Sequence, residues 1–319
     1  MDVTIAICTY NHSASLRETL QALASSRVPE NLDCELVIVD NASTDQTAEV
    51  IRSYKPGNLP VRYIYEARRG QCFARNAAIA SARGDVILFT DDDVRVPQNW
   101  IEGMCSPLLT GAVHAVAGGV KVAPHLQRPW MEWIHRAWLA STDYINMDEP
   151  PSMVGANMAF RKKVFERVPM FDTELGPGAL GFHDESLFSF QLKEAGYRIV
   201  SAFDVVVEHH FDESRLLRSS FFDSARKMGR SSAYLAHHWE HQTISHPLLR
   251  LALWRLRLIK WGWQRRRERM GAEGMPEWEV MMLWKYYFYR YYLTEHKRPR
   301  NYDKHGLVKL KHPQLTARS

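Results

Sequence analysis

The chain has 319 residues, 45% hydrophobic and 11% aromatic, which excludes a disordered segment and leaves room for one large α/β domain or two smaller ones. Its net charge of +5 hides two regions of opposite sign: residues 215–319 hold 22 Lys+Arg against 8 Asp+Glu, and residues 1–214 hold 19 against 28. Four widely spaced cysteines without a CxxC pair exclude a disulfide framework or a zinc site; neither a secretory leader nor a run of about 18 apolar residues is read, so a reducing cytoplasm is the expected compartment.

In chain order, residues 3–9 read as a buried strand and 14–26 as a helix. A second pair follows at 35–40 and 44–54, and a third at 61–65 and 71–82. Residues 86–90 form a fourth apolar strand, and repeated βα units of this length predict an α/β fold with a mostly parallel sheet. Residues 115–122 add a strand, with Gly118-Gly119 weakening it or marking a close backbone approach. An aromatic stretch, 130–144, reads as a helix between proline breaks, and 155–160 as a compact loop or strand. Residues 184–195 read as a helix closed by Gly196, and 198–202 and 205–208 as two short strands. Beyond 215 the pattern is helical and basic.

The densest chemical signal is Asp91-Asp92-Asp93, three acids at the carboxyl end of the fourth strand, where open α/β sheets place ligands. Packed carboxylates repel one another, and an all-oxygen cluster suits Mg²⁺ or Mn²⁺; a solvated acidic turn is the alternative.

Several segments occur in the order of one family. They are Ile7-Cys8-Thr9-Tyr10-Asn11, then Val39-Asp40-Asn41-Ala42-Ser43, then Gly70 with Ala74-Arg75-Asn76, then Gly84-Asp85 leading into the triple acid, then Gly155-Ala156-Asn157, and Gly181-Phe182-His183-Asp184-Glu185. This set resembles the family 2 glycosyltransferases of GT-A fold, over about residues 3–210. The resemblance implies a catalytic domain at 1–214, with a nucleotide-binding half about 1–123 and an acceptor half about 124–214, and a helical extension at 215–319. It also implies inverting transfer of a sugar from a nucleotide-sugar donor to an acceptor hydroxyl, in polysaccharide or glycoconjugate synthesis. A Mn²⁺ or Mg²⁺ ion would sit on Asp91 and Asp93, with His209 after a late strand as a further ligand, chosen over His210 by strand position. Asp92 is left for ribose or sugar hydroxyls. Thr9, Asn11 and Asp40 would line the nucleoside side, Arg75 the donor phosphates, and Gly155 and Asn157 the donor sugar. Asp184 matches the catalytic base, although His183 stands where the family often has an acid. The remaining histidines carry no readable signal.

The residues themselves offer plainer readings: an N-cap for Asp184, an Asx turn for Asp40, an internal salt bridge for Arg75, a turn for Asn157. The basic, aromatic tail suits an anionic membrane surface, which would bring the enzyme to a lipid-linked acceptor; a helical subdomain on the catalytic core or a homodimer contact fits it equally. Nucleic acid is not expected, because no recognised nucleic-acid motif accompanies the charge. Spanning helices and a Gln-x-x-Arg-Trp segment, marks of processive synthases, are missing from the sequence, so single additions are expected. A sugar nucleotidyltransferase or a dinucleotide oxidoreductase needs a glycine-rich loop after the first strand, where Thr9-Tyr10-Asn11-His12-Ser13 stands instead. An inactive relative acting as a membrane-bound scaffold is the non-enzymatic alternative.

Overall fold

A computed structural model of the chain describes residues 1–55, 59–145, 148 and 150–310. Strands β1 (Val3–Thr9), β2 (Cys34–Asp40), β3 (Val61–Tyr65) and β4 (Val86–Asp91) pair in parallel in the spatial order β3-β2-β1-β4. Their side chains alternate between two cores, as the two-residue repeat of a strand requires. Ile5, Ile7, Leu36, Ile38 and Leu88 pack with α1 (Ser13–Ala24) and α2 (Thr47–Ser53). Ala6, Val37, Val39, Ile87 and Phe89 pack with α3 (Gln71–Ser81) on the other face. Covered on both sides, these strands read as continuous apolar runs, which made them visible in the sequence.

The second half of the sheet is mixed. It comprises β5 (Val94–Arg95), β6 (Ala115–Val122), β7 (Asn157–Arg161) and β8 (Ile199–His209). The order continues β4-β7-β6-β8-β5, with β7 antiparallel to both its neighbours and β6 parallel to β8. Parallel pairings outnumber antiparallel ones four to three among the described residues.

Three local expectations change. The two short strands at 198–202 and 205–208 are one, β8, whose register against β6 slips between Gly118 and Gly119. The helix expected over 130–144 is confined to α5 (Trp133–Trp138), because Ala140 takes a left-handed backbone (φ 62°) and Ser141 and Thr142 turn to bond Val120. The helix α4 (Trp100–Leu109) has no counterpart in the reading of the sequence.

After α6 (Asp184–Glu194) and β8, the chain forms α7 (Arg218–His238), α8 (Pro247–Gln264) and α9 (Glu277–Glu295). Phe221, Ala225, Val280 and Leu283 share a core with Val122, Leu126, Ile134 and Leu139, so the extension packs onto the second half of the sheet. Residues 311–319 of the expected extension lie outside the described residues. Among the described residues, no helix is long and apolar enough to cross a membrane.

Candidate active site

Strand β4 delivers the acids to one end of the sheet, beside the end of β1, and two cavities open there. One, of about 480 Å³, is lined by Asp91, Asp92, Asp93, Asp184, Glu185 and His209 among others; the second, of about 410 Å³, by Thr9, Tyr10, His12, Asn41, Arg69 and Gly70 among others. Cys8, Gln71, Asp92 and Pro177 belong to both, so the two run together as one cleft. Their sizes fall within the range of small-ligand sites.

At the acidic corner, Asp92 accepts from His12 Nδ1 at 2.9 Å, and Asp93 lies 3.3 Å from His209 Nε2. The ring of His209 is oriented from behind: its Nδ1 is 2.9 Å from the Leu139 carbonyl, which fixes Nδ1 as the donor and turns Nε2 toward the acids. His210 instead faces Glu208. Burial drives the Asp91 carboxyl up to about 6, against the opposing pull of Arg75. Burial would raise Asp93 as well, but His209 overcomes it and holds Asp93 well below the usual carboxylate range. The hydrogen bond to Asp92 lifts His12 to about 9.

This corner could hold a metal. Ligand atoms of His12, Asp92 and Asp93 lie within 4.8 Å of one another, and His209 adjoins the same Asp93. Carboxylate oxygen with imidazole nitrogen suits Mn²⁺, and the oxygens alone suit Mg²⁺. Asp91 is turned partly away, with Arg75 Nη2 at 3.7 Å.

Beside Asp91, α3 and α6 meet through Arg75. Its Nη1 donates to Asp184 Oδ2 at 2.5 Å and to Glu185 Oε1 at 2.9 Å, and its guanidinium lies over the Phe171 ring. One guanidinium cannot neutralise both acids. Asp184, with its side chain 1% exposed, is pushed well above the usual range by burial and by the charge of Glu185. Glu185 has 23% of its side chain exposed, and the pull of Arg75 outweighs its burial and keeps it low. Of the pair, burial favours the neutral form of Asp184, while Arg75 favours the charged form of Glu185. His183, in left-handed conformation at the start of α6, is held neutral by burial, down to about 4, and contacts Ser232 of α7.

Arg75 is buried and bonded to Asp184 and Glu185, with Asp91 at 3.7 Å. Asp40 is fully buried, accepts from Ser43 N–H and the Tyr63 hydroxyl, and lines neither cavity. Asn11, left-handed at φ 50°, accepts from Thr44 N–H and donates its own N–H to Ser43, pinning two loops together. Asn157 is wholly buried; it accepts from Trp100 Nε1 and donates to the carbonyls of Gly119 and Val205, filling the space where β6 and β8 slip register. Thr9 lines the smaller cavity. Gly155 faces the ion pairs: a Cβ there would stand 1.9 Å from Arg75 Nη2 and 2.4 Å from Glu185 Oε1. Gly155→Ala is accordingly expected to cost about 1–3 kcal/mol by overpacking, read as a lowered denaturant midpoint.

Three contributors escaped the sequence reading. His12 sits one residue past the stretch 7–11, and its loop position was its only signal. Glu185 neighbours Asp184, and helical spacing does not say which of two adjacent acids faces a cleft. Arg215 brings a cation from the tail into the larger cavity, stacked on Phe211.

The mixed sheet flanked by helices, with the acids at its strand ends, has the GT-A class of fold. The solved structure of mannosyltransferase PcManGT from Pyrobaculum calidifontis, in complex with GDP-Man and Mn²⁺, shares this fold with a TM-score of 0.55 at 23% identity, covering 72% of this chain and 61% of that one. Residues 4–168 match the family model "Glycosyl transferase family 2", and the chain belongs to that family. Among curated relatives, glycosyltransferase AglE of Haloferax volcanii is 26% identical over 65% of this chain and 66% of its own length. Glucosyl-dolichyl phosphate glucuronosyltransferase of the same organism is 27% identical over 55% and 58%. The chain thus spans less than two-thirds of these relatives' length.

Proposed function

We propose that the chain is an inverting, metal-dependent glycosyltransferase that moves a sugar from a nucleotide-sugar donor to the hydroxyl of a glycan or lipid-linked acceptor, in single additions. The observation that carries this reading is the convergence of Asp91, Asp92, Asp93, Glu185 and His209 on one cleft. In it, Asp93 with Asp92 and the imidazoles of His12 and His209 would hold Mn²⁺ or Mg²⁺, and such an ion offsets the charge gathering on a leaving diphosphate. The nucleoside lies toward Thr9, Tyr10 and Arg69, in the cavity continuous with the acids. Arg215 supplies a further positive charge for the diphosphate.

Glu185, rather than Asp184, is the general base in this reading. A base must be ionised and must reach the acceptor, and Glu185 meets both conditions while Asp184 is sealed beneath Arg75. Attack from the Glu185 side, opposite the diphosphate corner, inverts the anomeric carbon. Asp184 is then a positioning residue that holds Arg75, and through it Glu185. The kinship with a glucosyl-dolichyl phosphate glucuronosyltransferase favours a lipid-linked acceptor, met at the inner face of the cytoplasmic membrane.

A panel of nucleotide sugars screened by thermal shift with Mn²⁺ should yield one nucleotide class that stabilises the fold. Asp93→Ala should abolish the Mn²⁺-dependent part of that shift and lower donor turnover at least about 100-fold. A variant that kept both the shift and the turnover would remove the metal from the reading.

A further inference from the structure

Helix α8 is apolar on two faces; among the described residues one packs on α9, and the other is exposed apart from Arg266 lying over Trp263. Leu251, Trp254, Leu258 and Trp261 turn inward, where Trp254 stacks with Tyr289 and Trp261 packs against Trp278, both of α9. The outward face carries Leu248 (70% exposed), Leu249, Leu253, Leu256 (61%), Ile259 (63%) and Trp263 (70%). At 100° per residue these six fall within an arc of roughly 140°. Arg250 and Arg257 border one side of this arc, Arg255 borders the other, and Lys260 stands near one edge with a stem long enough to lift its charge clear. No acidic residue occurs from 241 to 267, and Arg265-Arg266-Arg267 close the segment.

We infer that this face of α8 docks in the plane of an anionic lipid bilayer, with the leucines, Ile259 and Trp263 in the interfacial region and the arginines on lipid phosphates. The arrangement is that of an in-plane amphipathic helix: apolar side chains outward, cations at the borders. Charge selects this occupant over a second copy of the chain, because pairing two such faces would press at least eight cations together with no acid between them. The proposal stands apart from the transfer chemistry, since vesicle binding is measured without donor or acceptor; its failure would leave the assignment of the cleft untouched, and a failed cleft assignment would leave the docking face intact.

The test is co-sedimentation of the full chain with phosphatidylcholine vesicles, with and without phosphatidylglycerol. Binding should need the anionic lipid and should fall at least about tenfold when salt rises from about 0.1 M to about 0.5 M. Leu256→Glu with Ile259→Glu should lower partitioning at least about tenfold, with the thermal midpoint unchanged because both side chains already face water. Arg250→Glu with Arg257→Glu keeps the apolar ridge and should lower binding to anionic vesicles to a similar degree. Equal binding to neutral vesicles, no binding to either, insensitivity to the ridge substitutions, or a lipid-free dimer that those substitutions dissociate would each overturn the proposal.

Discussion

Replacing Glu185 with Gln is expected to lower kcat for donor turnover by about 10²–10⁴-fold, the usual contribution of a general base, with little change in donor affinity. Gln keeps the size and one acceptor oxygen, so its contact with Arg75 can persist while the negative charge is lost. The decisive comparison is Asp184→Asn. Burial and the neighbouring Glu185 push Asp184 toward its neutral form, which an amide resembles, so Asp184→Asn should reduce kcat far less than the change at Glu185. Turnover should be followed with the nucleotide sugar chosen by thermal shift. The reverse order, with Asp184→Asn the more damaging for kcat and Glu185→Gln nearly silent, would return the role of base to Asp184.

The second large effect concerns stability. Arg75 is the shared cation of Asp184, Glu185 and, at longer range, Asp91, and it lies almost fully buried. Arg75→Met retains much of the stem's bulk and removes the charge. Stranding buried acids in this way costs about 3–5 kcal/mol, so the denaturant midpoint should fall with an unchanged slope. Adding Glu185→Gln to Arg75→Met should recover part of the loss, since Glu185 is the acid held in its charged form by Arg75 and an amide does not need a counter-charge; a double-mutant cycle measures that coupling. A midpoint for Arg75→Met within about 0.5 kcal/mol of the parent protein, the range of ordinary surface changes, would show that the wall does not depend on this residue.

The sequence displayed the sheet better than the site. Strands β1, β2 and β4 are buried on both faces, so their apolar runs and their ends were legible, and with them the placement of Asp91-Asp92-Asp93. Side-chain direction was not legible. Asp40, Asn11 and Asn157 are polar residues at strand ends or in loops, as ligand-binding residues are, yet their partners are Tyr63, Thr44 and Trp100, up to 57 positions away. Such residues satisfy buried backbone and loop groups, and spacing alone cannot separate that task from ligand contact. The resemblance placed Arg75 at the donor phosphates; the plainer reading, an internal salt bridge, could not name its partners, because Asp184 and Glu185 lie more than 100 positions along the chain. Helix α4 was missed although its buried residues include Trp100, Ile101, Met104, Cys105 and Leu108, because Gly103 and Pro107 interrupt the pattern.

The way α7 enters the cleft has a consequence for how the chain can be divided. Ser231 accepts the Phe182 N–H, Ser232 contacts His183, and Arg215 and Met228 complete the cavity wall. Cutting at residue 214 would therefore unseat the loop that presents Glu185, not merely shed an appendage. Since α9 lies between α7 and α8, the helix that would rest on lipid and the loop that would greet an acceptor hang from one beam. Anchorage and turnover should accordingly drift together when that beam is altered.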